Sequence, residues 1–191
     1  MSIENKDTDC ICSLIKDKSP KHERKIAMSW LKYWLNFNSM IGKNGAVIWD
    51  IDETLVDNDE LPYKEVQETW DTCIKKGYTC VVLTARPDFP ANRTHTKKVL
   101  QRHGFYPYEA LYMMPEDLHP TEKNVSRYKY AARDDVSKRH KIIGNIGNRC
   151  TDLWRFPQKH EVLRNISDSE SAIIFPNNSH SEVSIKLPTL E

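Results

Sequence analysis

The apolar run Ala46-Val47-Ile48-Trp49 ends on Asp50-Ile51-Asp52-Glu53-Thr54, and no other stretch constrains the fold as much. Four apolar residues in succession read as a strand buried on both faces, as in the centre of a parallel α/β sheet. The open crevice of such a sheet lies beyond the strand C-termini. Asp50 therefore stands at the lip of that crevice, and Asp52 reaches it once the chain turns out of the strand. Two carboxylates so placed outline a phosphoryl-transfer site.

The rest of the chain supplies the elements such a sheet needs. Ile26, Trp30, Tyr33, Trp34 and Phe37 recur at helical spacing, which predicts an amphipathic helix over about 22–38 packed on the sheet. Pro62 opens and Gly77 closes a second helix with an inner stripe of Val66, Trp70, Cys73 and Ile74. A strand follows over 78–84, then a helix through Thr96, Val99 and Leu100 to Gly104, and a short strand over 110–114. A helix over about 123–139 leads to a strand over 141–144, and a last strand covers 172–175. Strands alternating with helices imply a doubly wound, mainly parallel sheet. The expected organisation is a polar N-terminal segment (1–21), one α/β domain (22–176) and a polar, poorly ordered tail (177–191).

With 191 residues and 39% hydrophobic content, the chain has ordinary globular composition. Its 28 basic and 27 acidic residues nearly cancel, which removes any global electrostatic footprint for nucleic acid or anionic membrane. No apolar stretch is long enough to span a bilayer, and the N-terminus lacks the apolar region of a signal peptide. The five cysteines, Cys10, Cys12, Cys73, Cys80 and Cys150, are odd in number and irregularly spaced. They fit free thiols in a reducing compartment, and the expected location is the cytoplasm.

Asp50-Ile51-Asp52-Glu53-Thr54 resembles the DxDxT signature that opens the haloacid dehalogenase-like (HAD) phosphohydrolases. A carboxylate attacks phosphorus well when a cation screens the repulsion, and a second carboxyl group must protonate the departing oxygen. The resemblance gives Asp50 the first role and Asp52 the second, with Asp52 then activating water. It implies a Rossmann-like three-layer α/β/α sandwich around a mainly parallel five-stranded sheet of order 5-4-1-2-3. Leu83-Thr84-Ala85-Arg86 matches the second motif, so that Thr84 donates a hydrogen bond to the phosphoryl oxygens and Arg86 adds a charge-assisted contact.

The third motif is a lysine that neutralises charge on the nucleophile and phosphate. Lys123, Lys129, Lys138 and Lys141 compete for it by position. The segment Arg127 to Arg133, with Gly144 fifteen residues beyond Lys129, is similar to plant vegetative storage proteins and class III acid phosphatases, and this selects Lys129. Residues Gly144 to Leu153 resemble the GNxGDxxxDL segment of the same proteins, with one departure: Asn148 stands where the pattern has a magnesium-binding aspartate, while Asp152 is kept. The implied Mg²⁺ set is the Asp50 carboxylate, the Asp52 main-chain carbonyl, Asn148, and water held by Asp152. Asparagine offers an oxygen but no charge, so the metal should bind more weakly than in a relative with aspartate.

About thirty residues separate the first two motifs, enough for a loop and one helix but not for a large cap. The expected activity is a magnesium-dependent phosphomonoester hydrolase, acid phosphatase or nucleotidase-like, acting on a small phosphorylated substrate such as a nucleotide or sugar phosphate. A possible homodimer would shield the open crevice. Two other readings stand beside it. The stretch from Thr84 to Met114 also resembles the phosphatase half of polynucleotide kinase-phosphatases, which implies a 3′-phosphate on a nucleic acid end. A catalytically weakened storage or binding protein is the third.

Overall fold

The computed structural model describes residues 13–15, 19–42, 44–152, 172–176 and 183–188. Cys10, Cys12, Leu153 and most of the N-terminal segment and C-terminal tail lie outside the described residues. The elements in chain order are β1 (Ser13–Ile15), α1 (Pro20–Met40), β2 (Ala46–Trp49), α2 (Lys64–Lys75), β3 (Thr79–Asp88), α3 (Pro90–Arg102), β4 (Ala110–Pro115), α4 (Glu122–Ser137), β5 (Ile142–Gly147), a 3-10 turn (Cys150–Asp152), β6 (Ala172–Pro176) and β7 (Val183–Lys186).

Local signals place most of these boundaries. Ser19 caps α1 by accepting a hydrogen bond from the His22 N–H, with Pro20 in the first turn, where its missing donor costs nothing. Thr121 caps α4 in the same way through the Asn124 N–H. Gly77 and Gly104, with φ of 76° each, take the left-handed conformation just past α2 and α3 that glycine adopts without strain.

The sheet runs β1-β6-β7-β5-β2-β3-β4. Its core, β7-β5-β2-β3-β4, is parallel throughout and has the expected 5-4-1-2-3 order, with β2 central. One correction concerns the fifth strand. The strand expected over 172–175 exists as β6, but it is antiparallel to its neighbours β1 and β7. The parallel partner of β5 is β7, in the stretch expected to be a polar tail. Val183 to Lys186 are all buried there because strands lie on both sides of them.

Alternation along β2 divides the core between the two faces. Val47 and Trp49 meet Ala27, Met28, Leu31 and Leu35 of α1 and Val66, Trp70 and Cys73 of α2. Ala46 and Ile48 face Ala132 and Val136 of α4 on the other side. The helix expected over 22–38 is present, but its inward stripe is Ala27, Met28, Leu31 and Leu35. Of the predicted stripe, Ile26, Tyr33 and Phe37 turn outward, Tyr33 72% and Phe37 52% exposed, while Trp30 and Trp34 are half-buried against the edge of the core. Both stripes repeat at helical period, and the smaller, aliphatic one packs on the sheet. Cys73 and Cys80 are free, buried thiols. Among the described residues no helix is long and apolar enough to cross a membrane.

Candidate active site

β2 delivers Asp50 to the C-terminal edge of the sheet, where the Asp50 N–H donates to Ile146 O of β5 at 2.9 Å. The chain then curls tightly. The Ile51 carbonyl accepts from the N–H groups of Thr54, Leu55 and Val56 at 3.1, 2.8 and 3.1 Å, and Ile51 itself is buried in the core. Glu53 closes this turn with φ of 55°, a conformation unfavourable for a side chain other than glycine. The two aspartates end in different surroundings: Asp50 is 6% exposed, whereas the Asp52 side chain is 53% exposed at the crevice mouth.

Lys129, on α4, reaches the floor of the crevice. Its Nζ donates to Asp50 Oδ1 at 2.7 Å and, through a very short contact, to Asp152 Oδ1. The lysine is 2% exposed. Burial alone would lower its pKa, but the charges and hydrogen bonds of Asp152 and Asp50 outweigh burial and raise it, so it stays an ammonium. Asp50 is pushed up to about 7, first by burial and next by the charge of Asp152, against the pull of Lys129. Two buried carboxylates thus share one ammonium.

The loop after β5 is built to present Asp152. A Cβ on Gly147 would lie 2.1 Å from Asp152 Cβ, so only glycine admits this approach. The Arg149 N–H donates to Asp152 Oδ2 at 3.0 Å. Arg133, one turn beyond Lys129 on α4 and 3% exposed, donates to Asn145 Oδ1, Thr151 O and Asp152 O at 3.0, 3.2 and 2.6 Å. Burial brings its pKa down to about 10. Asn148 follows β5 directly and is 6% exposed.

Opposite this wall, the buried Thr84 in the middle of β3 donates from Oγ1 to Asp52 Oδ2 at 3.4 Å and accepts from the Arg86 N–H at 3.2 Å. Arg86, expected on phosphate, forks onto Asp52: Nε lies 2.9 Å and Nη2 2.6 Å from Oδ1. Its Nη1 is 3.2 Å from Glu60 Oε1, and Glu60 in turn contacts His95 Nε2 at 2.9 Å.

The fold therefore gathers Asp50, Lys129 and Asp152 in one cluster, and Asp52, Thr84 and Arg86 in another across the same crevice. Sequence reasoning did not find Arg133, Glu60 or His95. Arg133 carried a usable signal, because it is the i+4 neighbour of Lys129 on a helix and so shares its face. Glu60 and His95 carried none, since their meeting depends on how a loop and α3 converge.

The ligands that the resemblance implies are all hard oxygens: the Asp50 carboxylate, the Asp52 main-chain carbonyl, the Asn148 amide oxygen and Asp152, of which Asp50 and Asp152 meet through Lys129. This set suits magnesium, which keeps several waters and needs few protein ligands. It is a sparse set, because among the described residues no group of three His, Cys, Asp or Glu side chains converges on one point.

A family profile described as HAD superfamily, subfamily IIIB (Acid phosphatase), matches residues 62–182, more than half of the chain. The match takes in Thr84, Lys129, Asn148 and Asp152 and begins after Asp50 and Asp52, which join the matched residues through the Lys129 and Thr84 contacts. No curated protein matches the chain. With more than half its length in the family's pattern and the two aspartates folded against it, the chain belongs to the HAD superfamily, subfamily IIIB, and is a phosphomonoester hydrolase.

Proposed function

We propose that the chain hydrolyses small phosphomonoesters through an aspartyl-phosphate on Asp50, with Mg²⁺ as cofactor. The observation that carries this reading is the Lys129 ammonium held between Asp50 and Asp152 at the end of the central strand. An ammonium there keeps one Asp50 oxygen oriented and leaves the other free to attack.

In the first half-reaction an Asp50 oxygen bonds to phosphorus, the bond to the leaving oxygen breaks, and the Asp52 carboxyl proton passes to that oxygen. Main-chain amides of the loop after Asp50, with Thr84 Oγ1 and Lys129 Nζ, hold the phosphoryl oxygens as charge builds on them. In the second half-reaction the Asp52 carboxylate takes a proton from water as that water attacks phosphorus, releasing phosphate and restoring Asp50. Arg86 must leave Asp52 before Asp52 can carry the proton. A bound phosphoryl group is the anion that attracts it away, which turns the expected phosphate contact of Arg86 into a substrate-dependent one. When bound by the Asp50 carboxylate, the Asp52 carbonyl and Asn148, with Asp152 acting through water, Mg²⁺ would screen the repulsion between Asp50 and the phosphoryl oxygens.

Near-zero net charge supports a small substrate, such as a nucleotide or sugar phosphate, over a nucleic acid end. The intact Lys129 contact on Asp50 supports catalysis over a storage role. Hydrolysis of p-nitrophenyl phosphate with and without Mg²⁺, by wild type, Asp50→Asn and Asn148→Asp, tests the proposal. Wild type should be active and metal-stimulated, Asp50→Asn inactive, and Asn148→Asp saturated at lower Mg²⁺. Activity only in Asn148→Asp would overturn the catalytic reading of the natural sequence.

A further inference from the structure

The N-terminal helix sends a cation underneath the catalytic loop. Arg24 of α1 is fully buried, and its guanidinium donates to three main-chain carbonyls: Nη2 to Glu53 O at 2.6 Å and Pro188 O at 2.9 Å, and Nη1 to Thr54 O at 3.2 Å. It lies over the Tyr63 ring, 3.8 Å from the centroid. Taking a guanidinium out of water is costly, and burial lowers its pKa. An apolar side chain would pack α1 on the sheet without that cost, so packing does not account for an arginine here.

What Arg24 touches does account for it. Glu53 has the strained φ of 55° that reverses the chain just after Asp52, a conformation that persists only when its surroundings over-determine it. Its carbonyl is held by Arg24, and its carboxylate Oε2 accepts the Tyr63 hydroxyl hydrogen bond at 2.9 Å. Tyr63 is also the ring beneath the guanidinium, so Arg24, Tyr63 and Glu53 form a closed triangle. Arg24, Glu53, Thr54 and Pro188 lie outside the family-matched segment 62–182, and Tyr63 lies inside it.

We propose that Arg24 is a positioning residue for the general acid: by holding the Glu53 turn it fixes where Asp52 leaves the strand end relative to Asp50. This inference rests on the aspartyl-phosphate reading above. A misplacement of about 1 Å costs on the order of 100-fold in rate, whereas a helix that merely packs would affect stability alone.

The test compares phenyl phosphate, whose leaving group needs a proton, with 2,4-dinitrophenyl phosphate, whose leaving group does not. For Arg24→Lys, kcat on phenyl phosphate should fall roughly 10- to 100-fold, with KM changed less than about threefold. In kcat/KM, which reports the first half-reaction alone, the fall on 2,4-dinitrophenyl phosphate should be about tenfold smaller than that on phenyl phosphate. Tyr63→Phe keeps the ring and removes only the hydroxyl, and it should shift the same ratio in the same direction by a smaller factor. It carries the test if Arg24→Lys does not fold. Equal losses in kcat/KM on both substrates, or unchanged kcat/KM on phenyl phosphate in a folded variant, would overturn the proposal. Asp50→Asn on both substrates keeps the two readings separate: if it retains activity, the aspartyl-phosphate reading fails whatever Arg24 does.

Discussion

Asp50 works in a place that suits it badly as a folded-state anion. Burial and the neighbouring Asp152 raise its pKa from 3.8 to about 7. A carboxyl whose folded pKa is raised favours the fold below its unfolded pKa, and that contribution is lost as pH rises through the folded value. Above pH 7, Asp50 therefore costs stability on the order of a few kcal/mol. Asp50→Asn is expected to melt at or above wild type near pH 8, with the advantage shrinking toward pH 4, and calorimetry across that window reads it. A difference that does not vary with pH would remove burial as the cause. The residues proposed for the chemistry, Asp50, Asp52, Thr84, Lys129 and Asp152, were picked out in the sequence by residue type and motif spacing, and hydrogen bonds link Lys129 to Asp50 and Asp152, and Thr84 to Asp52. The partner of Arg86 was not picked out. Whether that guanidinium finds phosphate or Asp52 depends on a contact across thirty-four residues of chain.

At the scale of elements, the alternation of helices and strands was readable from apolar periodicity, and two placements were not. α1 carries two apolar stripes of the same period, and periodicity alone does not say which one packs. β7 is four residues long, and two of them, Ser184 and Lys186, are polar, so it lacks the run that marked β2. Its burial comes from its neighbours β5 and β6. It also leads to Leu187, whose N–H donates to Gly147 O at 2.7 Å, and to Pro188, which is tied to Arg24. A chain ending at residue 182 should therefore lose the fifth parallel strand and two ties to the active-site loops. The expected outcome is loss of a cooperative thermal transition; a truncated chain that melts like wild type would show β7 to be dispensable.

At the scale of the whole molecule, metal and fold are linked by mass action. A cation that binds only the folded chain stabilises it by about 2.7 kcal/mol at a hundredfold excess over Kd, or roughly 5–10 °C in Tm for a chain of this size. In the proposed metal set Asn148 stands where an aspartate would add a negative charge, so millimolar Mg²⁺ should raise the Tm of wild type less than that of Asn148→Asp. Equal shifts, measured by scanning fluorimetry at a pH above 7, would show that position 148 does not face the metal.

The sequence by itself determined the class of fold, the 5-4-1-2-3 order implied by its resemblance, and the phosphatase family to which its motifs point. These are encoded in short spacings: two aspartates two positions apart, a threonine-arginine pair within a strand, and a glycine-asparagine segment that runs through the end of a strand. Only the tertiary structure decided which strand closes the parallel sheet, that Lys129 bridges Asp50 and Asp152, that Arg86 holds Asp52, and that Arg24 holds the carbonyl of Glu53 in the turn just after Asp52. The reason is physical. Local spacing governs what one element presents, whereas the meeting of groups far apart in the chain is set by sheet register and by which faces pack, and neither is written in any single stretch of residues.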